Sequence, residues 1–421
     1  MSVSMKHLIT LSTLCALLLP ALYTAFAQGT RPAPVPPSQG AFFTGEYRNM
    51  LKEWGLSDEE IQARIQETWH QLFYGDDDTE RVYYPVGDDM AYILDTGYGD
   101  VRTEGMSYGM MIAVQLDKKE EFDRLWKWAR TYMYNESGAY AGYFAWHCRP
   151  DGTKIDQNPA SDGEEWFVMA LFFAAGRWGN GEGIFNYQAE ANAILHTMLH
   201  KEDDPRAGST NMFNKDNKLV VFVPSFGRES TFTDPSYHLP HYYELWARWA
   251  DKDNDFWAEA ATASRAFLRK AAHPETGLMA NYTTFDGEPY PLSNYGEYFY
   301  ADAWRVGMNV AVDYAWFAAD PWQIEQSNRL QAFFYKQGIG RYADKYLIDG
   351  SEALSPWHSE GLVATNAVAS LAATEPIAWE FIEEFWNTPL PTGQWRYYSG
   401  LLYLMSLLHL SGHFRIYAPA S

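Results

Sequence analysis

The sequence predicts an all-α fold, with twelve helices closed into a double ring of six hairpins. Two observations carry this. Twelve segments show helical apolar spacing, near 57–73, 104–116, 118–134, 161–177, 185–200, 235–250, 255–272, 300–318, 323–338, 361–373, 376–387 and 397–410. Several of them also alternate, nearly all-apolar stretches (166–175, 400–410) with amphipathic ones (120–132, 255–270). A helix that is apolar all round is buried and an amphipathic one keeps a wet face, so the alternation separates an inner ring from an outer one. Strand signals are short and confined to connections such as 219–223.

The elements follow in order. Residues 1–27 form a secretory signal: Lys6 and His7 precede an apolar run over 8–22, and Ala25-Phe26-Ala27 is a small-x-small cleavage site before Gln28. The run is too short and wrongly flanked to span a bilayer, so the expectation is export to periplasm or medium, with no membrane attachment after cleavage. Residues 28–40 are a Pro-rich tether. Residues 41–421 show no second linker and are expected to form one domain. Ser57 with Glu60 makes a capping box, and Ile61, Ile65, Trp69 and Leu72 line one face of the helix that follows. Cys15 lies in the signal, which leaves Cys148 alone in the mature chain; no intramolecular disulfide can form, and Cys148 is expected to be a buried packing residue.

The net charge is −22, and −23 once residues 1–27, with Lys6 and no acid, are removed. Such a surface repels nucleic acid and anionic membrane, and it argues against a polyanionic substrate. A neutral ligand fits better. The 17 Trp, 29 Tyr and 24 Phe point the same way, because sugar C–H faces pack on aromatic planes, although most of these rings must be core. No cofactor and no metal is implied. His196 and His200 have i, i+4 ligand spacing but lack the adjacent Glu of His-Glu-x-x-His and a third ligand. Asp251-Lys252-Asp253-Asn254-Asp255 begins like a calcium loop, yet no Gly follows at the sixth position and no Glu closes it. A monomer is expected.

Three segments set an acid at the start of a buried-looking helix: Thr103-Glu104-Gly105-Met106-Ser107-Tyr108, Ser161-Asp162-Gly163-Glu164-Glu165-Trp166 and Tyr300-Ala301-Asp302-Ala303-Trp304-Arg305. In a ring of inner helices, equivalent ends open on one face, so acids far apart in sequence converge on one pocket. Plainer readings exist for two of them. Asp162 also fits an N-cap, and Asp302 fits an i, i+3 ion pair with Arg305. Glu104 has no capping advantage over Asp or Ser. An apolar wall disfavours its charged form and raises its pKa, which suits a proton donor working near neutrality.

On these motifs residues 42–415 resemble glycoside hydrolase family 8, the inverting enzymes of the (α/α)6-barrel fold. The resemblance implies Glu104 as general acid, Asp302 as general base, and Asp162 as the acid that contacts and distorts the sugar. Tyr108 and Trp166, in the first two segments, are expected among the substrate-binding residues with Arg305. Three further segments, Phe43-Thr44-Gly45-Glu46-Tyr47-Arg48-Asn49, Asp234-Pro235-Ser236-Tyr237-His238 and Ser355-Pro356-Trp357-His358-Ser359, resemble the reducing-end xylose-releasing exo-oligoxylanases of that family. In that group a Tyr matching Tyr237 helps hold the attacking water, and a His matching His358 closes the far end of the cleft and touches the reducing-end sugar, so Tyr237 and His358 are expected to bind substrate. A structural His or a helix cap is the other reading of His358. The implied substrate is a β-1,4-linked xylo-oligosaccharide. The alternatives are an endo-acting β-1,4-glycanase (xylanase, cellulase or chitosanase) and a non-catalytic carbohydrate-binding protein.

Overall fold

The computed structural model describes residues 31–420. The signal segment expected over 1–27 lies outside the described residues. From Ala33 onward the chain forms one compact unit, in which Pro34 and Gly40 of the Pro-rich segment are already buried.

Among the described residues, two short helices, α1 (Ala41–Thr44) and α2 (Met50–Trp54), precede twelve longer ones. These are α3 (Asp58–Tyr74), α4 (Thr103–Gln115), α5 (Lys119–Trp128), α6 (Ser161–Trp178), α7 (Tyr187–His200), α8 (Pro240–Trp249) and α9 (Asn254–Ala271). After them come α10 (Trp304–Phe317), α11 (Trp322–Gln337), α12 (Glu360–Val368), α13 (Ala378–Asn387) and α14 (Arg396–Leu410). The capping box of Ser57 and Glu60 is formed at the start of α3. The helix expected over 235–250 is divided: a 3-10 turn, Pro235–Tyr237, is followed by a break before α8. Pro240 explains the break, because it pushes the residue before it out of helical backbone while itself starting α8. The 300–318 segment is likewise a 3-10 turn, Ala301–Ala303, leading into α10.

Five hairpins pair consecutive helices: α4 with α5, α6 with α7, α8 with α9, α10 with α11, and α12 with α13. The sixth pairs α14 with α3, so the two ends of the domain close the outer and inner rings together. The inner ring runs α4, α6, α8, α10, α12, α14 and returns to α4. Between α6 and α8 it is joined by Trp166 edge-on to Tyr242 (5.2 Å) and by Tyr243 donating to Glu165 (2.8 Å). This is the (α/α)6 barrel. Within α4 every residue is buried except Glu104, and within α14 every residue except Tyr398. Both exceptions lie in the first turn.

Strands occupy connections only. β1 (Tyr83–Val86) and β2 (Met90–Ile93) form a hairpin between α3 and α4, while β3 (Val101–Arg102), β4 (His147–Cys148) and β5 (Lys154–Asp156) form a small antiparallel sheet at the entry to α4. Residues 219–223 contribute one isolated bridge, Phe213 with Val220. Cys148 is free and buried, and burial pushes its thiol up to about 12.

The sixth hairpin is fastened by Arg396, which is buried at the start of α14. Its Nε donates to Arg81 O (2.9 Å), Nη1 to Asp78 O (3.0 Å) and Gly393 O (2.8 Å), and Nη2 to Asp77 O (2.8 Å). Three of these carbonyls belong to the turn that follows α3. Arg396→Met keeps the stem and removes four charge-assisted hydrogen bonds to backbone carbonyls, so it should destabilise the domain by about 3–5 kcal/mol in denaturant unfolding. Arg206→Met, at an exposed ion pair with Asp204, should leave the midpoint unchanged. Equal midpoints for the two variants would contradict this account of closure.

Candidate active site

The first turns of the inner helices meet at one end of the barrel. Glu104 sits in the first turn of α4, Asp162 in that of α6, and Ser236 and Tyr237 in the 3-10 turn ahead of α8. Asp302 and Arg305 flank the start of α10, and Tyr397 and Tyr398 begin α14. Glycine beside each of the first two acids allows the close approach. A Cβ on Gly105 would fall 2.5 Å from the Tyr397 ring, and one on Gly163 2.4 Å from Thr103 Oγ1. Helix N-termini carry partial positive charge, which favours carboxylates placed there.

Arg305 is buried at the centre. Its Nη1 donates to Tyr108 Oη (2.6 Å) and to Asp162 Oδ2 (2.9 Å), and lies 3.4 Å from Glu104 Oε2. Its Nη2 donates to Ser236 Oγ (2.8 Å) and lies 3.5 Å from Asp302 Oδ1. Glu104 Oε1 accepts from Tyr397 Oη (3.0 Å), and Asp302 Oδ2 from Tyr282 Oη (3.5 Å). The i, i+3 pair of Asp302 with Arg305 therefore exists, but the guanidinium is shared and its shorter ion pair is with Asp162. Nor is Asp162 an N-cap: Ala160 holds that position.

Burial is the largest influence on both half-buried acids. It raises Glu104 to about 7; Arg305 pulls the value down, and the negative charges of Asp162 and Asp302 push it up. Asp302 is also raised, since the loss of water around it outweighs the pull of Arg305. Arg305 thus restrains the rise at Asp302 without reversing it. Glu164 and Glu165, beside Asp162, are fully buried and held well above the usual carboxylate range by desolvation. Each has one anchored oxygen, Glu164 on Phe144 N (2.9 Å) and Glu165 on Tyr243 Oη.

A cavity of about 450 Å³ opens above these groups. Glu104, Asp162, Asp302 and Arg305 line it together with aromatic walls from Trp146, Phe222, Tyr237, Tyr282 and Tyr295. Of the sequence-predicted residues, Tyr108 and Trp166 stand behind this lining. Tyr108 buttresses Arg305, and Trp166 packs edge-on against it at 4.8 Å. Their bulk is buried in the barrel wall, so their part is support, not direct contact with the cavity. His358 is also outside the lining: Nδ1 donates to Tyr342 O (2.8 Å) and Nε2 lies 3.3 Å from Glu384 Oε1. Tyr397, Ser236 and Tyr282 escaped sequence reasoning. Tyr397 carried a usable signal, since it opens an all-apolar inner helix as Glu104 does. Elsewhere, His200 is held between Asp203 (2.6 Å) and Asp253 (2.8 Å), and no cluster suited to a metal occurs among the described residues.

The sequence profile of glycosyl hydrolases family 8 matches residues 90–412. The chain is 53% identical over 387 residues, 90% of its length and 99% of the relative's, to the reducing-end xylose-releasing exo-oligoxylanase Rex8A of Paenibacillus barcinonensis. The structure of Rex8A complexed with xylose superposes with a TM-score of 0.86, at 52% identity, over 90% of this chain and 100% of that one. It is also 51% identical over 387 residues to the corresponding exo-oligoxylanase of Halalkalibacterium halodurans, covering 91% of this chain and 97% of the other. A GH8 xylobiose complex from Teredinibacter turnerae matches with a TM-score of 0.87 at 48% identity, over 90% of this chain and 100% of that one.

Replacing the shared cation tests the electrostatics directly. In Arg305→Gln both Glu104 and Asp302 lose the largest of the influences that lower them, so each should titrate at least about one unit higher, as read from carboxyl carbon NMR. Unmoved titrations would show that Arg305 does not govern them.

Proposed function

The chain belongs to glycosyl hydrolase family 8, and from that premise we propose that it is an inverting hydrolase of β-1,4-linked xylo-oligosaccharides that releases xylose from the reducing end. Relatives about half identical over nearly their whole length bear that activity in their names. The observation that carries the reading is the shared guanidinium. Glu104 and Asp302 lie 3.4 and 3.5 Å from its two terminal nitrogens, so their nearest oxygens are at most about 9 Å apart, under the upper limit of the inverting range. Inverting enzymes hold the two carboxyls roughly 6.5–9.5 Å apart, leaving room for a water.

Glu104, neutral when substrate arrives, donates its proton to the glycosidic oxygen as the bond to the departing sugar breaks. Asp302, ionised, takes a proton from the water that attacks the anomeric carbon from the opposite face. The new reducing end therefore forms with inverted configuration. Tyr237, on the cavity wall near Arg305, holds that water with Asp302. Asp162, ion-paired to Arg305, hydrogen-bonds the distorted ring, and the aromatic walls pack against the sugar faces. His358 acts through its loop: Ser355 and Ser359 both donate to Asp344, and His358 is fixed to Tyr342 and Glu384. A loop held at both ends supports a fixed limit to the cleft, as release of one terminal sugar requires. The segment 1–27 supports export, where oligosaccharides are met outside the cytoplasm by a monomer that needs no cofactor.

Incubation with xylotriose and with xylan tests the reading. Xylose from the trimer, with little loss of xylan viscosity, is expected; rapid viscosity loss would replace exo with endo action, and no product from either would leave a binding protein. Glu104→Gln and Asp302→Asn should each lower turnover by about 10²–10⁴-fold while the fold is retained. Wild-type rates in either variant would overturn the assignment of that residue.

A further inference from the structure

Asp234 is fully buried and takes no part in the steps above. It caps the Pro235–Tyr237 turn, its Oδ1 accepting from Ser236 N at 2.7 Å, while its Oδ2 is buried with no hydrogen-bond partner. A buried carboxylate does not keep a bare oxygen without a large cost. No cation pairs with it, because Arg305 is engaged by Glu104, Asp162 and Asp302.

The segment around Asp234 is also linked, through Arg305 and Tyr282, to both oxygens of Asp302. The Arg305 Nη2 that lies 3.5 Å from Asp302 Oδ1 donates at 2.8 Å to Ser236, two residues from Asp234. Asp302 Oδ2 receives Tyr282, whose neighbour Thr283 pairs through both backbone bonds (2.9 Å each) with Thr233, the residue before Asp234. The titratable and charged groups around Asp234 are Asp302 and Arg305 from the start of α10, Tyr282 from the paired segment, Tyr237 from its own turn, and His238, which bonds Thr233 (2.9 Å) and is pushed down to about 3 by burial. Burial and the like charge of Asp302 hold the Asp234 acid well above the carboxylate range, and Arg305 offsets only part of this.

We propose that Asp234 is a positioning residue for the base: a carboxylic acid that keeps its proton through the working pH range, so that Asp302, at the cavity, is the member of the pair that ionises, while the capping oxygen of Asp234 fixes the turn bearing Ser236 and Tyr237. Two interacting carboxyls, one buried and one half-buried, cannot both ionise cheaply, and a neutral Asp234 leaves the single charge where the attacking water needs it. The inference rests on Asp302 being the base.

The test compares wild type, Asp234→Asn and Asp234→Ala on xylotriose across pH. Asn reproduces a neutral acid with a capping oxygen, so kcat should stay within about threefold of wild type and the acid limb of kcat/KM should not move. Ala removes the cap, and kcat should fall at least about tenfold with KM little changed, since the loss is one of positioning. A fall of the acid limb by about one unit or more in Asp234→Asn would show that wild-type Asp234 is ionised, and overturn the proposal. So would an Asn variant as impaired as the Ala variant, or an Ala variant with wild-type kcat. If the Ala variant does not fold, the pH profile of the Asn variant decides alone. Failure of the underlying reading shows separately, as undiminished turnover in Asp302→Asn.

Discussion

Arg305 lies at the end of the inner ring where the helices begin, and it meets Glu104, Asp162 and Asp302 at once. A buried guanidinium is costly unless it is fully paired, so three first turns from α4, α6 and α10 have to come within its reach. Ser236 and Tyr108 complete its donors. Closing the barrel and building the site are in this sense one constraint. The closure that Arg396 makes between the chain ends also fixes where α14 begins, and hence where Tyr397 meets Glu104.

One cation among several acids cannot neutralise them all. Glu104, Glu164, Glu165 and Asp234 are each raised chiefly by desolvation. For such groups the folded state binds protons that the unfolded chain has already released. Their contribution to stability is whole below the ordinary carboxylate range and is lost as pH rises toward their folded values. The site is therefore a destabilised region of an otherwise apolar barrel, and what it gains is a carboxyl that remains neutral until about pH 7.

The twelve long helices were legible because helical apolar spacing is local and the inner ones are apolar all round. The three acids were legible because each opens such a segment, two of them with a glycine whose missing Cβ admits the neighbouring helix. What was not legible depends on contacts between distant parts of the chain. Tyr397 on Glu104 spans 293 residues and Ser236 on Arg305 spans 69; the place of Tyr397 at the head of an inner helix was visible, but no local pattern announces its partner or that of Ser236. Tyr108 and Trp166 were expected at the sugar and instead support Arg305 from behind, because in an all-buried helix the sequence does not say which residues face the cavity. Pro240, which interrupts the segment expected over 235–250, was visible in the sequence; the tight turn it leaves before α8, with Ser236 and Tyr237 on it, was not.

The proposed reaction requires opposed protonation states at Glu104 and Asp302 around a common cation. The dependence of kcat/KM on pH reads both in the free enzyme. A bell is predicted, with the alkaline limb near the value of about 7 at which Glu104 loses its proton. The acid limb, set by Asp302, should lie above the ordinary aspartate range because Asp302 is raised. An alkaline limb in the ordinary carboxylate range, or activity undiminished well above neutrality, would contradict it.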